Sequence, residues 1–310
     1  MNIELSLQAA SLENGHTIRV QFGELCCALI CHDADIFQRL KESYQVFRSD
    51  KPADVNIRLE LISRLDPASI EAILSQASVL PPEAQYMAAN QVFDIEFDPA
   101  SSTFSVTADR CVFATSFKLK PMNRLLHLAY YTASQLKHRG RPSSMLVHAC
   151  GILRNGKVSL FAGPSETGKS TIGRLCSEDY GLPLNDEMML LSWSPPPERS
   201  LLVHSVPIFG ELPFRLNASA PLARVLMLKK SQRTAVRRLD RKEAYLRFMY
   251  QIINPAHFRQ TDKRAILSLI AEFTDEVTKA TPFYELEFTR DRNLLWEVET
   301  RIAELNGREE

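Results

Sequence analysis

The sequence predicts an α/β protein with two domains, a smaller mixed α+β domain over residues 1–140 and an α/β domain over residues 141–310. Three observations support this prediction. Strand-like segments dominate the N-terminal part, strands and helices alternate after the turn-rich stretch 139–144, and a glycine-rich turn joins a strand to a helix in the second half. The length of 310 residues fits two domains of ordinary size.

The composition is that of an ordinary globular protein. Hydrophobic residues make up 45% and charged residues 24% of the chain, which argues against a disordered or fibrous class. A formal net charge of zero favours neither nucleic acid nor an anionic membrane as a partner. The sequence shows no signal peptide, and its apolar runs are too short to span a bilayer. We therefore expect a cytoplasmic protein whose six cysteines are reduced thiols.

In the N-terminal domain, hydrophobic periodicity predicts both strands and helices. Apolar and polar residues alternate over 55–61, which is typical of a strand with one buried face. Segments 92–97 and 103–107 flank a turn-forming stretch and predict a hairpin. Helical spacing predicts helices over 34–47 and 122–138. No pattern in this domain indicates a chemical activity, so it could serve recognition, oligomerisation or packing.

In the C-terminal domain, short apolar segments alternate with amphipathic ones, as an α/β domain requires. The predicted strands cover 146–153, 157–161, 187–193, 225–228 and 284–288. The predicted helices cover the segment from the glycine-rich turn to about 177, then 241–253, 262–279 and 293–305.

The glycine-rich turn matches the phosphate-binding pattern GxxxxGK[ST] at every fixed position, and it stands between a strand and a helix as that pattern requires. Its glycines let the backbone approach oxygen atoms, and successive N–H groups then face the phosphates. A lysine supplies positive charge to the β- and γ-phosphates, and the next serine offers a hydroxyl to Mg²⁺. We therefore predict that a nucleoside triphosphate is bound by Gly163, Pro164, Ser165, Glu166, Thr167, Gly168, Lys169, Ser170 and Thr171.

An acidic pair, Asp186 and Glu187, stands next to the apolar strand that follows the phosphate-binding loop. An acidic residue at such a position can hold Mg²⁺, orient a water or take a proton from an attacking hydroxyl. Asp186 is the stronger candidate for proton transfer, and Ser170, Asp186 and Glu187 are the candidate metal ligands. His148 lies between apolar residues, and taken alone it would be a core histidine.

The stretch from His148 to Leu191 resembles the HPr kinase/phosphorylase family and its broader set of P-loop relatives, which share their architecture with ATP-dependent phosphoenolpyruvate carboxykinases. The resemblance lies in the His148-Ala149 strand, the GPSETGKST loop and the Asp186-Glu187 pair, with a weaker similarity through Phe209-Gly210-Glu211. Glu187 replaces the second aspartate of the family, and no arginine-bearing substrate segment of true HPr kinases is present.

The resemblance implies a kinase-type fold in which the acidic pair acts on Mg²⁺ and the attacking hydroxyl, with His148 near the transferred phosphate and Lys169 and Asp186 as further catalytic residues. We expect an ATP-dependent kinase acting on a hydroxyl of a protein or peptide, with serine as the expected acceptor. The family also implies a homo-oligomer, but only by analogy.

Two other interpretations remain open at this stage. The chain could be a nucleotide-dependent binding or assembly module without catalysis, whose N-terminal domain holds a partner. A relative of the phosphoenolpyruvate carboxykinases would need further metal-ligating and carboxylate-binding residues. The basic residues between Lys229 and Arg241 fit a solvated face, or docking of a charged substrate, better than nucleic-acid binding.

Overall fold

The computed structural model describes residues 15–63, 93–114, 120–138, 144–212, 216–253 and 263–307. The chain divides into two compact units, Met1–Gly140 and Arg141–Glu310. Most of the turn-rich stretch predicted to link the domains, residues 139–143, lies outside the described residues.

The first unit is built around a mixed five-stranded sheet with strand order β1-β2-β3-β5-β4. Strands β2, β3 and β5 are parallel, and β1 and β4 run antiparallel to their neighbours. Its elements are β1 (His16–Phe22), β2 (Leu25–Cys31), α1 (Ala34–Tyr44), a 3-10 turn (Gln45–Phe47), β3 (Val55–Ile62), β4 (Phe93–Asp98), β5 (Thr103–Asp109), α2 (Arg110–Ala114) and α3 (Lys120–Lys137).

The predictions for this unit are confirmed where the structure describes it: the strand at 55–61, the hairpin β4–β5, and the helices α1 and α3. Every residue of β2 is buried, and α1 and α3 both pack on this strand. Burial along the whole strand fits the continuously apolar sequence of β2, which lacks the polar alternation of a half-exposed strand.

The second unit is built around a mixed nine-stranded sheet. Its strands run in the order β6-β10-β11-β12-β8-β7-β9, with β14 beside β12 and β13 beside β14. Its elements are β6 (Ser144–Val147), β7 (Ala149–Arg154), β8 (Lys157–Ala162), α4 (Lys169–Leu175), β9 (Leu182–Asn185), β10 (Met189–Trp193), β11 (Leu201–Ser205), β12 (Ser219–Lys230), β13 (Ala235–Arg238), α5 (Arg241–Met249), α6 (Lys263–Ala280), β14 (Phe283–Phe288) and α7 (Leu294–Asn306).

Three neighbouring strands, β8, β12 and β14, are parallel. Strand β12 is long enough to pair with β11 near its start and with β14 near its end, with an irregular register between Leu222 and Arg224. Strand β7 is antiparallel to both β8 and β9, so β9 runs in the same direction as β8. The carboxyl ends of β8, β9, β12 and β14 therefore point to one edge of the sheet, where α/β proteins commonly bind ligands.

Apolar residues pack on both faces of this sheet. On one face, Val225 and Met227 of β12 pack in a cluster with residues of α5 and α6, such as Phe248 and Ile270. On the other face, Leu226 and Leu228 pack in a cluster with residues of α4 and α7. Alternate residues of β12 thus point to opposite layers, as the period of a strand requires.

The structure corrects several predicted boundaries. The strand predicted at 146–153 is two strands, β6 and β7, which separate at His148 and pair with different neighbours. The strand predicted at 187–193 begins at Met189. Strands β9, β11 and β13 were not predicted. Among the described helices, none combines the length and the apolar character needed to cross a bilayer.

Candidate functional site

The turn between β8 and α4 depends on two glycines. Gly168 has φ 106°, a left-handed value that residues with a side chain rarely adopt, and a Cβ added there would lie 2.6 Å from Cζ of Phe288. A Cβ on Gly163 would lie 2.7 Å from Oγ1 of Thr167, whose hydroxyl donates to the Pro164 carbonyl at 2.7 Å. The Thr167 hydroxyl and the Phe288 ring therefore pack closely against these two glycines, and neither glycine can be replaced unless a neighbouring atom moves.

Lys169 is the first residue of α4 and is buried, with 6% of its surface exposed. Its ammonium group donates to the carbonyl oxygens of Gly163 and Pro164, at 2.9 Å each. Burial lowers the pKa of Lys169, whereas the nearby Glu187, Cys150 and Asp186 raise it. The lysine thus folds back over the loop that it follows, and its charge lies at the centre of the turn.

The acidic pair lies in the turn between β9 and β10, and Asn185 organises that turn. The Asn185 side-chain carbonyl accepts from the backbone N–H of Glu187 at 2.8 Å, and its amide donates to the Ile208 carbonyl at 2.8 Å. It also donates to the Val206 carbonyl at 3.3 Å. Asn185 is 2% exposed, so these bonds are made where water cannot replace them.

Asp186 is likewise 2% exposed, and its carboxylate is held by the backbone that follows β11. The N–H groups of Glu211 and Leu212 donate to its two oxygens, at 3.2 Å each. Gly210 faces the same carboxylate so closely that an added Cβ would lie 2.0 Å from Oδ1. The segment that resembled a family loop in the sequence, around Gly210 and Glu211, thus supports the aspartate.

His148 occupies the break between β6 and β7, where its backbone N–H donates to the Gln251 carbonyl at 2.8 Å. Burial lowers the pKa of His148 to about 4, and the positive charge of Lys169 acts in the same direction. The imidazole is therefore neutral at pH 7, so it can donate or accept a hydrogen bond but adds no positive charge.

A cavity of about 1010 Å³ joins these parts of the chain. It is lined by His148, Ser165, Glu166, Thr167, Gly168, Lys169, Ser170, Thr171, Arg174, Asp186, Glu187, Glu211, Lys230, Ser231, Gln232, Phe288, Thr289 and Arg290. The predicted residues Gly163 and Pro164 do not line it, although their carbonyls hold the Lys169 ammonium group.

The cavity brings together the oxygen donors that a magnesium ion prefers, the hydroxyl of Ser170 and the carboxylates of Asp186 and Glu187. Each Asp186 oxygen accepts one backbone N–H and keeps acceptor capacity for a cation or a proton. The described residues contain no group of three or more His, Cys, Asp or Glu side chains arranged to hold a metal. A metal here would therefore need the serine and the phosphate oxygens as further ligands.

The sequence did not indicate two parts of this site. The first is the support of the acidic pair by Asn185, which does not itself line the cavity. The second is the far wall of the cavity, of which only Lys230 stood out in the sequence, as part of a basic stretch; the wall is formed by Lys230, Ser231, Gln232, Phe288, Thr289 and Arg290. The far wall follows from the fold, because β12 and β14 are parallel to β8 and end at the same edge. The succession of apolar strands in the sequence could have indicated an edge of this kind, but the local pattern does not show which strands pair with each other.

Comparison with known proteins adds no family assignment to this geometry. A scan of the chain against protein-family models gives no match, and a search of curated proteins gives no significant match either.

Proposed function

We propose that this protein is an ATP-dependent kinase that transfers the γ-phosphoryl group to a hydroxyl of a protein or peptide, with serine as the expected acceptor. We propose in addition that the second unit is a P-loop kinase domain of the HPr kinase and phosphoenolpyruvate carboxykinase type. It rests on the resemblance in sequence and on the site geometry.

One observation carries the proposal: a single cavity is lined by the phosphate-binding turn, by the acidic pair and by His148. These residues come from three separate connections of the sheet, β8–α4, β9–β10 and β6–β7. A glycine-rich turn that served packing alone would not need carboxylates and a lysine at one edge. Phosphoryl transfer needs this combination, because catalysis depends on positioning and on charge stabilisation.

In the proposed reaction the chain contributes binding, orientation and a proton acceptor. The loop amides and Lys169 would bind the β- and γ-phosphates of ATP. The acceptor hydroxyl oxygen forms a bond to the γ-phosphorus as the bond between that phosphorus and the oxygen bridging to the β-phosphate breaks. Asp186 takes the hydroxyl proton, and ADP leaves. The neutral imidazole of His148 would hydrogen-bond near the transferred group.

Ser170, Asp186 and Glu187 would hold Mg²⁺, which when bound supplies positive charge to the phosphate oxygens. The turn that carries the two carboxylates is fixed in advance by the Asn185 hydrogen bonds, so the ligands need little reorganisation.

The test is phosphoryl transfer by the wild type and by Lys169→Ala, measured by intact-mass analysis of candidate acceptors and by labelled ATP in a cell lysate. Lys169 donates to two loop carbonyls, and we expect its removal to lower transfer at least about hundredfold. Equal turnover by the two proteins would refute the role of this lysine. Thermal unfolding of both proteins controls for loss of fold.

A second candidate, a nucleotide-dependent binding or assembly module, is favoured by one observation. Both oxygens of Asp186 accept from backbone N–H groups of a neighbouring segment, which is also what a purely structural aspartate would do. Such a module would bind ATP but label no acceptor and hydrolyse little. The labelling experiment therefore separates the two candidates.

A further inference from the structure

The wall of the cavity opposite the acidic pair carries positive charge that the proposed function leaves unused. Lys230 is the last residue of β12, and Arg290 follows β14. Both are exposed and line the cavity. Within the described ranges, no carboxylate forms an ion pair with either residue, whereas the cavity residue Arg174 pairs with Glu211 at 2.7 Å.

The alternation of β12 places Lys230 on the face that carries the phosphate-binding turn. Leu226 and Leu228 pack in one cluster with Ile172 of α4. A Cβ added to Gly163 would lie 3.5 Å from the Cβ of Leu228, so the turn rests on this line of residues. Lys230 is the next member of the line, because side chains two apart in a strand share a face.

Lys229 carries the same charge one residue earlier and points to the other face. Its ammonium group lies 2.7 Å from Oε1 of Glu287 and 3.9 Å from Oε1 of Glu285. These glutamates neutralise it. The two adjacent lysines thus differ in face and in partner, which makes Lys229 a natural control for Lys230.

The two walls lie on opposite sides of β8. The pairings at this edge give the order β9-β7-β8-β12-β14. Asp186 directly follows β9 and His148 directly precedes β7, on one side of β8, whereas Lys230 ends β12, on the other side. A polyphosphate bound over the turn therefore has one end at the carboxylates and the other near Lys230. The terminal phosphate belongs at the carboxylate end, where the metal ligands and the proton acceptor lie.

We propose that Lys230 is a second phosphate-binding cation, which binds the α- and β-phosphates of the nucleotide at the end of the cavity away from Asp186. This inference rests on the proposed nucleotide binding. It adds a positioning residue from β12 to the loop residues, and it gives the far wall a role in holding the nucleotide rather than the acceptor.

The test compares affinities for MgATP and MgADP by isothermal titration calorimetry in wild type, Lys230→Ala, Lys230→Arg and Lys229→Ala. Because the α- and β-phosphates are common to both nucleotides, Lys230→Ala should weaken both by the same factor, about tenfold for one charged hydrogen bond. Lys230→Arg keeps the charge and should stay within about threefold of wild type. Lys229→Ala should bind as wild type does.

Each other outcome has a distinct meaning. Unchanged affinity in Lys230→Ala, or an equal loss in Lys229→Ala, would overturn the inference and leave the proposed function standing. A loss of affinity for MgATP alone would mean that Lys230 contacts the γ-phosphate, and it would overturn the assignment of this lysine to the α- and β-phosphates. If wild type binds neither nucleotide, the proposed function fails first, and this inference fails with it.

Discussion

Two connections of this chain lead from a buried strand into a helix, and they differ in what they place at the start of the helix. In the first unit, β2 ends at Cys31 and Asp33 caps α1, its carboxylate accepting from the N–H of Ile36 at 3.0 Å. In the second unit, β8 ends at Ala162, and Gly168 stands at the same position before α4. The first connection contains its own anion, whereas the second has no side chain to supply one.

The charges around the two connections complete the contrast. Arg110 donates to Asp33 at 2.5 Å and to Asp35 at 2.9 Å, so the anion of the first connection is neutralised within its unit. At the second connection the nearest basic residue in sequence, Lys169, turns to loop carbonyls, and the carboxylate of Asp186 is bound by the 211–212 backbone. The second connection thus lacks a capping carboxylate of its own, which is the arrangement that the proposed phosphate binding needs.

We expect the largest effect from a substitution of Gly168, the residue at the cap position before α4. Gly168→Ala places a Cβ 2.6 Å from the Phe288 ring on a backbone with φ 106°. We expect MgATP affinity, measured by calorimetry, to fall about hundredfold, because the loop must shift from the geometry that its amides need.

Gly156→Ala is the matched control for this change. Gly156 also has a left-handed φ, of 71°, but no atom lies within 4 Å of an added Cβ. It should lower the free energy of unfolding by about 1 kcal/mol and leave MgATP affinity unchanged. An equal loss of affinity in both variants would show that backbone strain, and not the position in the loop, determines the effect.

The next largest effect concerns Asp186, whose carboxylate is bound by the 211–212 backbone. Asp186→Asn removes the proposed proton acceptor, and we expect turnover to fall about hundredfold while MgATP affinity changes less than about threefold. Steady-state kinetics and calorimetry on the same preparation test this expectation. Asp179→Asn is the control, because it changes an exposed acid outside the cavity. It should leave both turnover and MgATP affinity unchanged. A fall in affinity alone would make Asp186 a binding residue.

We expect the smallest effect from a substitution of Asp33, which caps α1 in the first connection. Asp33→Ala removes the cap and the partner of Arg110, and it should lower the free energy of unfolding by about 1 kcal/mol without changing MgATP affinity. Chemical denaturation measures the first quantity and calorimetry the second. A change in affinity would mean that the two units are coupled.

The same residue predicts a pH dependence. The hydrogen bond from Arg110, with a smaller contribution from the Ile36 amide, lowers the pKa of Asp33. Its stabilisation is therefore fully present above the unfolded value of about 3.9 and is lost as the pH falls through the folded value. The difference in free energy of unfolding between wild type and Asp33→Ala, measured by chemical denaturation at a series of pH values, should therefore shrink as the pH falls through the folded pKa of Asp33.

Local pattern in the sequence was enough to predict a glycine-rich turn between a strand and a helix, which the structure has between β8 and α4. Period-two alternation located β3, and helical spacing located α6. Two of the four-residue strands, β9 and β13, escaped prediction. Strand β9 contains Pro183, and β13 has two small apolar residues followed by two arginines, so neither shows a hydrophobic period.

The part of the candidate site that could not be predicted depends on pairing between distant strands. Nothing in the sequence near Lys230 indicates that it shares an edge with the turn at Gly163, because that follows from the parallel register of β8 and β12. The break at His148 likewise exists because β6 and β7 pair with different neighbours. Asn185 reads as a turn residue, and only its buried contacts show that it orders the acidic pair.

The acidic turn and the segment after β11 are tied together by four hydrogen bonds, two from the Asn185 amide and two to the Asp186 carboxylate. A displacement of the stretch 206–212 would therefore also displace the Asp186 carboxylate. Because Val206, Ile208 and Leu212 of this stretch are buried, we expect a change in its packing to alter the position of the carboxylate that we propose as the proton acceptor.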